Sequence, residues 1–258
     1  MLNVGLNEVK NQLMEYLHFD YSTLENFINS NNIGLSAYKL DEALILQTSR
    51  PFPFKGQVYD YKVFNFNTEN TDKFIEQLNL NDFVFFYSDV DIISDSLLFL
   101  DKEIYLEKEI TEIVTDSNVF EITADDKPEV MEFINSSEVE ENDNEALSVI
   151  RSIKFIFEEE ASKNNEHKFY FIKNENKIIG ITQVTIRRML KNKASIANIY
   201  ISQKFRGKGF GKRLLTASLT EKNYSYSYNC HKSNSASLQT AISSGFQKSG
   251  INSVYIRK

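Results

Sequence analysis

The sequence predicts an α/β fold with a mixed sheet, laid out in two parts, and three observations predict it. Short apolar stretches alternate along the chain with segments of helical spacing. A glycine-rich basic turn, Arg206-Gly207-Lys208-Gly209-Phe210-Gly211-Lys212-Arg213, joins an apolar strand end, Ile199-Tyr200-Ile201, to an amphipathic helix. Charge is divided as well: residues 187–258 carry 14 Lys and Arg against Glu221 alone, net +13, whereas residues 1–186 carry 15 bases and 35 acids, net −20.

In chain order, Leu2, Leu6, Val9, Leu13, Tyr16 and Leu17 follow helical spacing, so residues 2–30 read as helix, broken by Asn29-Ser30-Asn31-Asn32-Ile33-Gly34. Strands follow at Leu35–Leu40, Ala43–Thr48 and Val58–Phe66, with a proline-bearing irregular loop at Arg50–Gly56. Thr68–Leu80 reads as helix capped near Asn70 or Thr71, Phe83–Tyr87 as a buried strand, Asp89–Asp101 as a short helix and Ile104–Val114 as a strand. Phe83, Phe85, Phe86 and Tyr87 are read as core, Glu107, Glu109 and Glu112 as a solvated face, and Asp89 with Asp91 as turn chemistry.

Asp116-Ser117-Asn118 marks the expected boundary, giving an N-terminal α/β domain over 1–115 and a second domain over 119–258. Val119–Thr123 reads as a strand; Asp125, Asp126 and Pro128 then start a helix whose face is Val130, Phe133 and Ile134. Ser136–Glu145 reads as a mobile acidic loop, and Ala146–Ala161 as a helix ending in the solvated Glu158-Glu159-Glu160. A hairpin, Phe169–Lys173 and Lys177–Ile186, turns through Asn174–Asn176, and Gly180 within it signals a bulge or a close backbone approach. Arg187-Arg188 is read as a solvated hairpin end. Lys193–Ile201 is a strand, Gly209–Lys222 a helix, Tyr224–Tyr228 a strand with its tyrosines on one face, Asn234–Ser244 a helix and Val254–Arg257 the last strand.

Composition narrows the class. At 258 residues with 41% hydrophobic content, the chain has enough apolar mass for packed cores. It contains no apolar run long enough to span a membrane, and the N-terminus does not read as a secretion signal. The single Cys230 excludes an intramolecular disulfide and suits a reducing cytoplasm, and three His with one Cys argue against structural zinc, so no metal is expected. A basic C-terminal third implies a local anionic ligand. The acidic remainder repels a long polyanion, which disfavours nucleic acid and favours a small phosphorylated molecule.

The glycine turn supplies a seat for one. Glycines allow sharp turns and close backbone approach, and unpaired amides at a helix start, with its dipole, favour phosphate. It is not a nucleotide P-loop, because Gly211-Lys212 is followed by Arg213 rather than Ser or Thr.

Residues 119–258 resemble the GNAT superfamily of acyl-CoA-dependent N-acyltransferases. The element order matches, Arg206–Gly211 matches its Q/R-x-x-G-x-G/A loop, and Asn234-x-Ala236-Ser237 with Gly245-Phe246 matches its final helix and strand. The resemblance implies a GNAT-like fold for this part and leaves the N-terminal domain as a possible diverged copy of it. It also implies acetyl-CoA as co-substrate. The backbone of Ile199, Tyr200 and Ile201 would pair with the pantetheine arm; Arg206, Gly207, Lys208, Gly209, Phe210, Gly211 and Lys212 would hold the pyrophosphate; Asn234 and Ser237 would contact the cofactor. A primary amine, on a small molecule or peptide, would attack the thioester directly.

The sequence departs from that pattern at the proton-handling positions. The family's frequent tyrosine falls on Ala241 and its frequent glutamate near Ala197. His231, Tyr228 and Cys230 are the remaining catalytic candidates, against which stand a surface histidine, a packing tyrosine and a small core residue. Two readings stay open: an N-acetyltransferase whose acceptor and oligomeric state the sequence does not define, and an inactive acyl-CoA-binding or regulatory module.

Overall fold

The computed structural model describes residues 2–5, 8, 34–52, 56–79, 82–87, 91–160, 167–186 and 192–258. The chain forms two compact units: Met1–Tyr105 with Cys230–Asn234 and Ser249–Lys258, and Leu106–Asn229 with Ser235–Lys248.

In the first unit, β1 (Leu2–Val4), β2 (Gly34–Leu40), β3 (Ala43–Phe52) and β4 (Gly56–Phe64) pair antiparallel in succession. β5 (Phe83–Phe86) joins β4 in parallel over Asp60–Val63, and the Ser253–Ile256 part of the last strand of the chain joins β5 antiparallel. Asp41, with φ 51°, closes the β2–β3 turn in the left-handed region that Asp tolerates. Ile45, Tyr61, Val63, Phe74, Val84, Phe86, Leu97 and Tyr255 form the core. Of the aromatic run expected as core, Phe86 lies in it beside Val84, whereas Phe83, Phe85 and Tyr87 are only half-buried.

Several expectations here are corrected. Leu2–Val4 is a strand on the edge of β2, not the start of a helix; the rest of the expected N-terminal helix, apart from Gly5 and Glu8, lies outside the described residues. Pro51 and Phe52 extend β3 rather than forming an irregular loop, because they sit at the end of a hairpin ladder with β4. The Thr68–Leu80 helix is a 3-10 turn, Thr68–Asn70, followed by α1 (Thr71–Ile75). Its Asn67 side chain caps the turn at Glu69 N, 3.0 Å away. The helix expected over Asp89–Asp101 is absent from its described part: Asp89 lies outside the described residues, residues 91–96 are irregular and β6 (Leu97–Glu109) begins at Leu97. Asp91 is exposed and pairs with Lys102 at 3.1 Å.

The second unit repeats the same succession of pairings. β7 (Val119–Glu121), β8 (His167–Asn174), β9 (Lys177–Ile186) and β10 (Lys193–Ile201) are antiparallel neighbours, and β11 (Ser225–His231) joins β10 in parallel. α2 (Lys127–Glu140) and α3 (Asn144–Glu160) follow β7, α4 (Phe210–Ala217) lies between β10 and β11, and α5 (Ser235–Ser243) leads to β12 (Gln247–Arg257). Val130, Ile134, Ile150, Ile153 and Phe157 pack on Phe169, Phe171, Ile181 and Tyr200.

The expected Ser136–Glu145 loop is corrected to helix with a short connector, since α2 continues to Glu140 and Asp143 starts α3 by accepting from Glu145 N at 2.9 Å and Ala146 N at 3.1 Å. α4 stops at Ala217 rather than Lys222. Ser218 Oγ bonds back to Leu215 O at 2.9 Å, and Asn223 turns the chain with φ 63°. Tyr226 and Tyr228 are buried on one face of β11, as their alternation predicts.

Gly180 is a close approach. A Cβ there would collide with Ile201 Cδ1 and lie 2.9 Å from the Tyr200 carbonyl oxygen. Gly180→Ala is expected to cost about 1–3 kcal/mol by overpacking against a backbone that cannot yield. Chemical denaturation measures it, and a midpoint equal to wild type would show that β10 can shift away.

Candidate functional site

β10 is paired to β11 over only four residues, Lys193–Ile196 with Ser225–Tyr228. A bulge between Ile196 and Asn198 then shifts its register on β9. Among the described residues, the edge of β10 over 197–201 that faced β11 has no further strand partner. The strand end thus presents free backbone just before the glycine turn.

After the 3-10 turn Gln203–Phe205, Gly207 and Gly209 adopt φ 73° and 82°, with nothing within 4 Å of where a Cβ would project. Gly209 is also the N-cap of α4 and contributes no side-chain cap. Among the described residues, the six consecutive amides of Gly207–Lys212 donate no hydrogen bond within the protein, whereas Phe205 N and Arg206 N donate to Ser202 O and Gln203 O. A row of unpaired N–H groups at a helix start is an anion-binding nest.

The basic side chains around it are directed elsewhere. The Arg206 guanidinium donates to the Glu141 carboxylate and to Ile201 O, the latter at 2.9 Å, and stacks over Tyr200 at 5.5 Å. Glu141, whose side chain is fully buried, also accepts from Tyr200 Oη at 2.8 Å and from Asp143 N at 3.1 Å. Burial pushes its carboxyl up, but these hydrogen bonds and the Arg206 charge outweigh burial and hold it below the usual carboxylate range. Burial, followed by Glu141, raises the Tyr200 hydroxyl to about 12. Arg213 makes a bidentate pair with Asp116 at 2.7 and 2.9 Å, and its hydrogen bonds lower the Asp116 carboxyl. Lys208 Nζ donates to Lys204 O at 2.9 Å and lies over Phe205. Lys212 is exposed and, among the described residues, unpaired. Arg206, Lys208 and Arg213 therefore brace the turn, while its backbone faces outward.

The remaining sequence-selected residues divide. Ile199 and Ile201 are half-buried and Tyr200 buried at the strand end; Phe210 opens α4 edge-on to Phe205, and Gly211 packs under Thr240. Tyr228 Oη and Ser237 Oγ share a hydrogen bond of 2.7 Å, and the Tyr228 ring packs on Phe246. Cys230, His231 and Asn234 belong to the first unit. There Cys230 is buried, His231 is exposed with Nδ1 3.7 Å from Asp101, and Asn234 N donates to His231 O. Ala241 is fully buried, and Ala197 is exposed at the bulge. Arg187 and Arg188 lie outside the described residues, as do the side chains of Glu159 and Glu160. Among the described residues there is no metal-binding cluster, and no helix is long and apolar enough to cross a membrane.

Sequence reasoning missed Glu141 and Asp116, the two acids that tie down the turn. Nothing in their local pattern separates them from neighbouring surface acids. Gln183 was missed too, although a polar residue at an inward position of an apolar strand is a legible signal.

The second unit thus places an anion-binding nest at the start of a helix, fed by a bulged strand that parts from its parallel neighbour. Residues 119–250 match the model of the acetyltransferase (GNAT) family, and the chain belongs to that family. The fold recurs in a functionally unknown conserved protein from Staphylococcus epidermidis, at TM-score 0.58 and 9% identity, covering 89% of this chain and 96% of that one. It recurs in a GCN5-related N-acetyltransferase from Sphaerobacter thermophilus, at TM-score 0.56 and 10% identity over 91% and 85%. A tandem GNAT protein from the clavulanic acid biosynthesis pathway aligns at TM-score 0.52 and 9% identity over 99% and 97%. A search of curated protein sequences finds no match.

Proposed function

We propose that the chain transfers an acetyl group from acetyl-CoA to a primary amine of a small molecule or peptide. The observation that carries this reading is the run of unpaired amides at Gly207–Lys212, beside the open strand edge 197–201. The amides and α4 dipole suit a pyrophosphate, and the free edge suits an amide-bearing arm. In the transfer, the amine nitrogen forms a bond to the thioester carbonyl carbon as the carbon–sulfur bond breaks. One proton passes from nitrogen to solvent or base, and the thiolate is protonated. The single buried Cys230 supports a reducing, cytoplasmic setting.

We read the N-terminal unit as a diverged copy of the same fold that has lost its seat. Its pairings follow the same succession, with three antiparallel steps and then a parallel one. Its turn after β4 has no glycine, is closed by the Asn67 cap, and carries Glu69 and Asp72 where an anion would sit. Only Phe64 extends β4 beyond its parallel pairing, so no strand edge comparable to 197–201 stands open. One acetyl-CoA per chain is therefore expected. Calorimetry with acetyl-CoA, and thiol release across a panel of primary amines, test both points. Stoichiometry of two would overturn the lost-seat reading, and absence of binding would overturn the cofactor assignment.

The rival reading, an acyl-CoA-binding module without turnover, is favoured by Ala197 and Ala241 at the customary acid–base positions. Tight binding with background thiol release for every amine would establish it.

A further inference from the structure

The apolar interface between α3 and the sheet is interrupted by one line of polar side chains crossing three strands. Asn198 Nδ2, on β10, donates to Gln183 Oε1, on β9, at 2.8 Å, with Ser152 Oγ of α3 at 3.5 Å. Gln183 Nε2 donates to His167 Nδ1, on β8, at 3.1 Å, and Thr185 Oγ1 lies 3.0 Å from the same nitrogen. Behind Asn198, Thr182 Oγ1 donates to its carbonyl oxygen at 2.8 Å. Gln183 and Thr182 have no exposed surface. Burying a carboxamide here is unfavourable unless its groups are paired; an aliphatic residue would be the ordinary occupant of that position.

The consequence of the line is at its end. Asn198 is the first residue after the bulge, next to the exposed Ala197 and two residues beyond the last β10–β11 pair. Its amide nitrogen is committed to Gln183. Its side-chain oxygen, among the described residues, accepts from no protein donor and is not sealed from solvent. A hydrogen-bond acceptor is thus fixed in direction at the point where the strands part, beside the position from which the carboxylate expected of this family is missing.

We propose that the Asn198 side-chain oxygen accepts the N–H of the incoming amine and so sets its approach, with Gln183 and His167 as positioning residues that lock the carboxamide. This rests on the acetyl-CoA reading above. A neutral carboxamide orients a nucleophile without removing its proton, so the proton leaves through water after attack.

The test uses the full chain, acetyl-CoA, and benzylamine as the amine probe. For Asn198→Ala, KM for benzylamine is expected to rise about tenfold, the worth of one neutral hydrogen bond, and by more than any change in acetyl-CoA affinity measured in parallel. Gln183→Leu should raise KM similarly. Gln183→Glu, which keeps an acceptor for Asn198 Nδ2, should restore it toward wild type. A purely structural role would lower the melting temperature of the Gln183 variants and leave KM alone, and that result overturns the proposal. If turnover is too slow to measure, titrating benzylamine into the coenzyme A-loaded protein should shift the Asn198 side-chain amide NMR resonance; no shift overturns the proposal. Failure of wild type to bind acetyl-CoA would instead sink the underlying reading, and the proposal with it.

Discussion

Gly209→Glu abolishes coenzyme A binding while the chain still folds: this is the largest effect expected of any single substitution. Space does not oppose the change, since nothing lies within 4 Å of the projected Cβ. Two other terms do. At φ 82° an L-residue is strained by roughly 1–2 kcal/mol. A carboxylate would also stand among the unpaired amides of residues 207–212, in the place proposed for the pyrophosphate. Together they are expected to weaken binding by at least roughly 100-fold. Gly209→Ala, which carries the strain without the charge, should lose much less. Calorimetry on each folded variant measures the difference, and undiminished affinity in Gly209→Glu would move the anion seat elsewhere.

The second large effect is at Glu141, which faces no solvent. Removing one partner of a buried, hydrogen-bonded ion pair leaves the other uncompensated, and Glu141→Ala is expected to cost about 3 kcal/mol. Tyr200 and Arg206 both lose an acceptor, so the turn is released at its base and coenzyme A affinity should fall about tenfold. Denaturant midpoints and calorimetry check the two effects; a stable variant that binds as wild type would mean Ile201 O alone fixes Arg206. The same pair sets a pH dependence. Because the folded Glu141 pKa is depressed below its ordinary 4.5, its contribution is complete above that value. It is lost as pH falls through the lowered folded value.

How much was legible depended on range. Local signals were reliable: the glycines of 207–211 fixed the turn, the Tyr-Ser alternation fixed β11, and Gly180 signalled a bulge or a close approach, and the structure has both, a register shift beside it and Tyr200 and Ile201 close against it. Patterns that depend on partners were misread. Leu2–Val4 has helical spacing but lies along β2, and backbone pairing overrides the pattern there. Ser136–Glu140 is polar and so read as loop, yet it is the end of α2, whose inner face needs only Val130, Ile134 and Ser137. Arg206 was read as ligand-facing because its charge fits an anion. Its partner, Glu141, lies 65 residues away, and no local pattern reveals that pairing.

The pairing of Arg206 and Arg213 with buried or half-buried acids also bears on kinetics. Glu141 and Asp116 neutralise those two charges, whereas Lys208, bonded only to the neutral Lys204 carbonyl, and the exposed Lys212 keep theirs, so long-range attraction toward the seat rests on these two lysines. Encounter with a polyanionic ligand should then slow as ionic strength rises, through screening of those two lysines. Discrimination among acyl carriers would reside in how long each one stays bound.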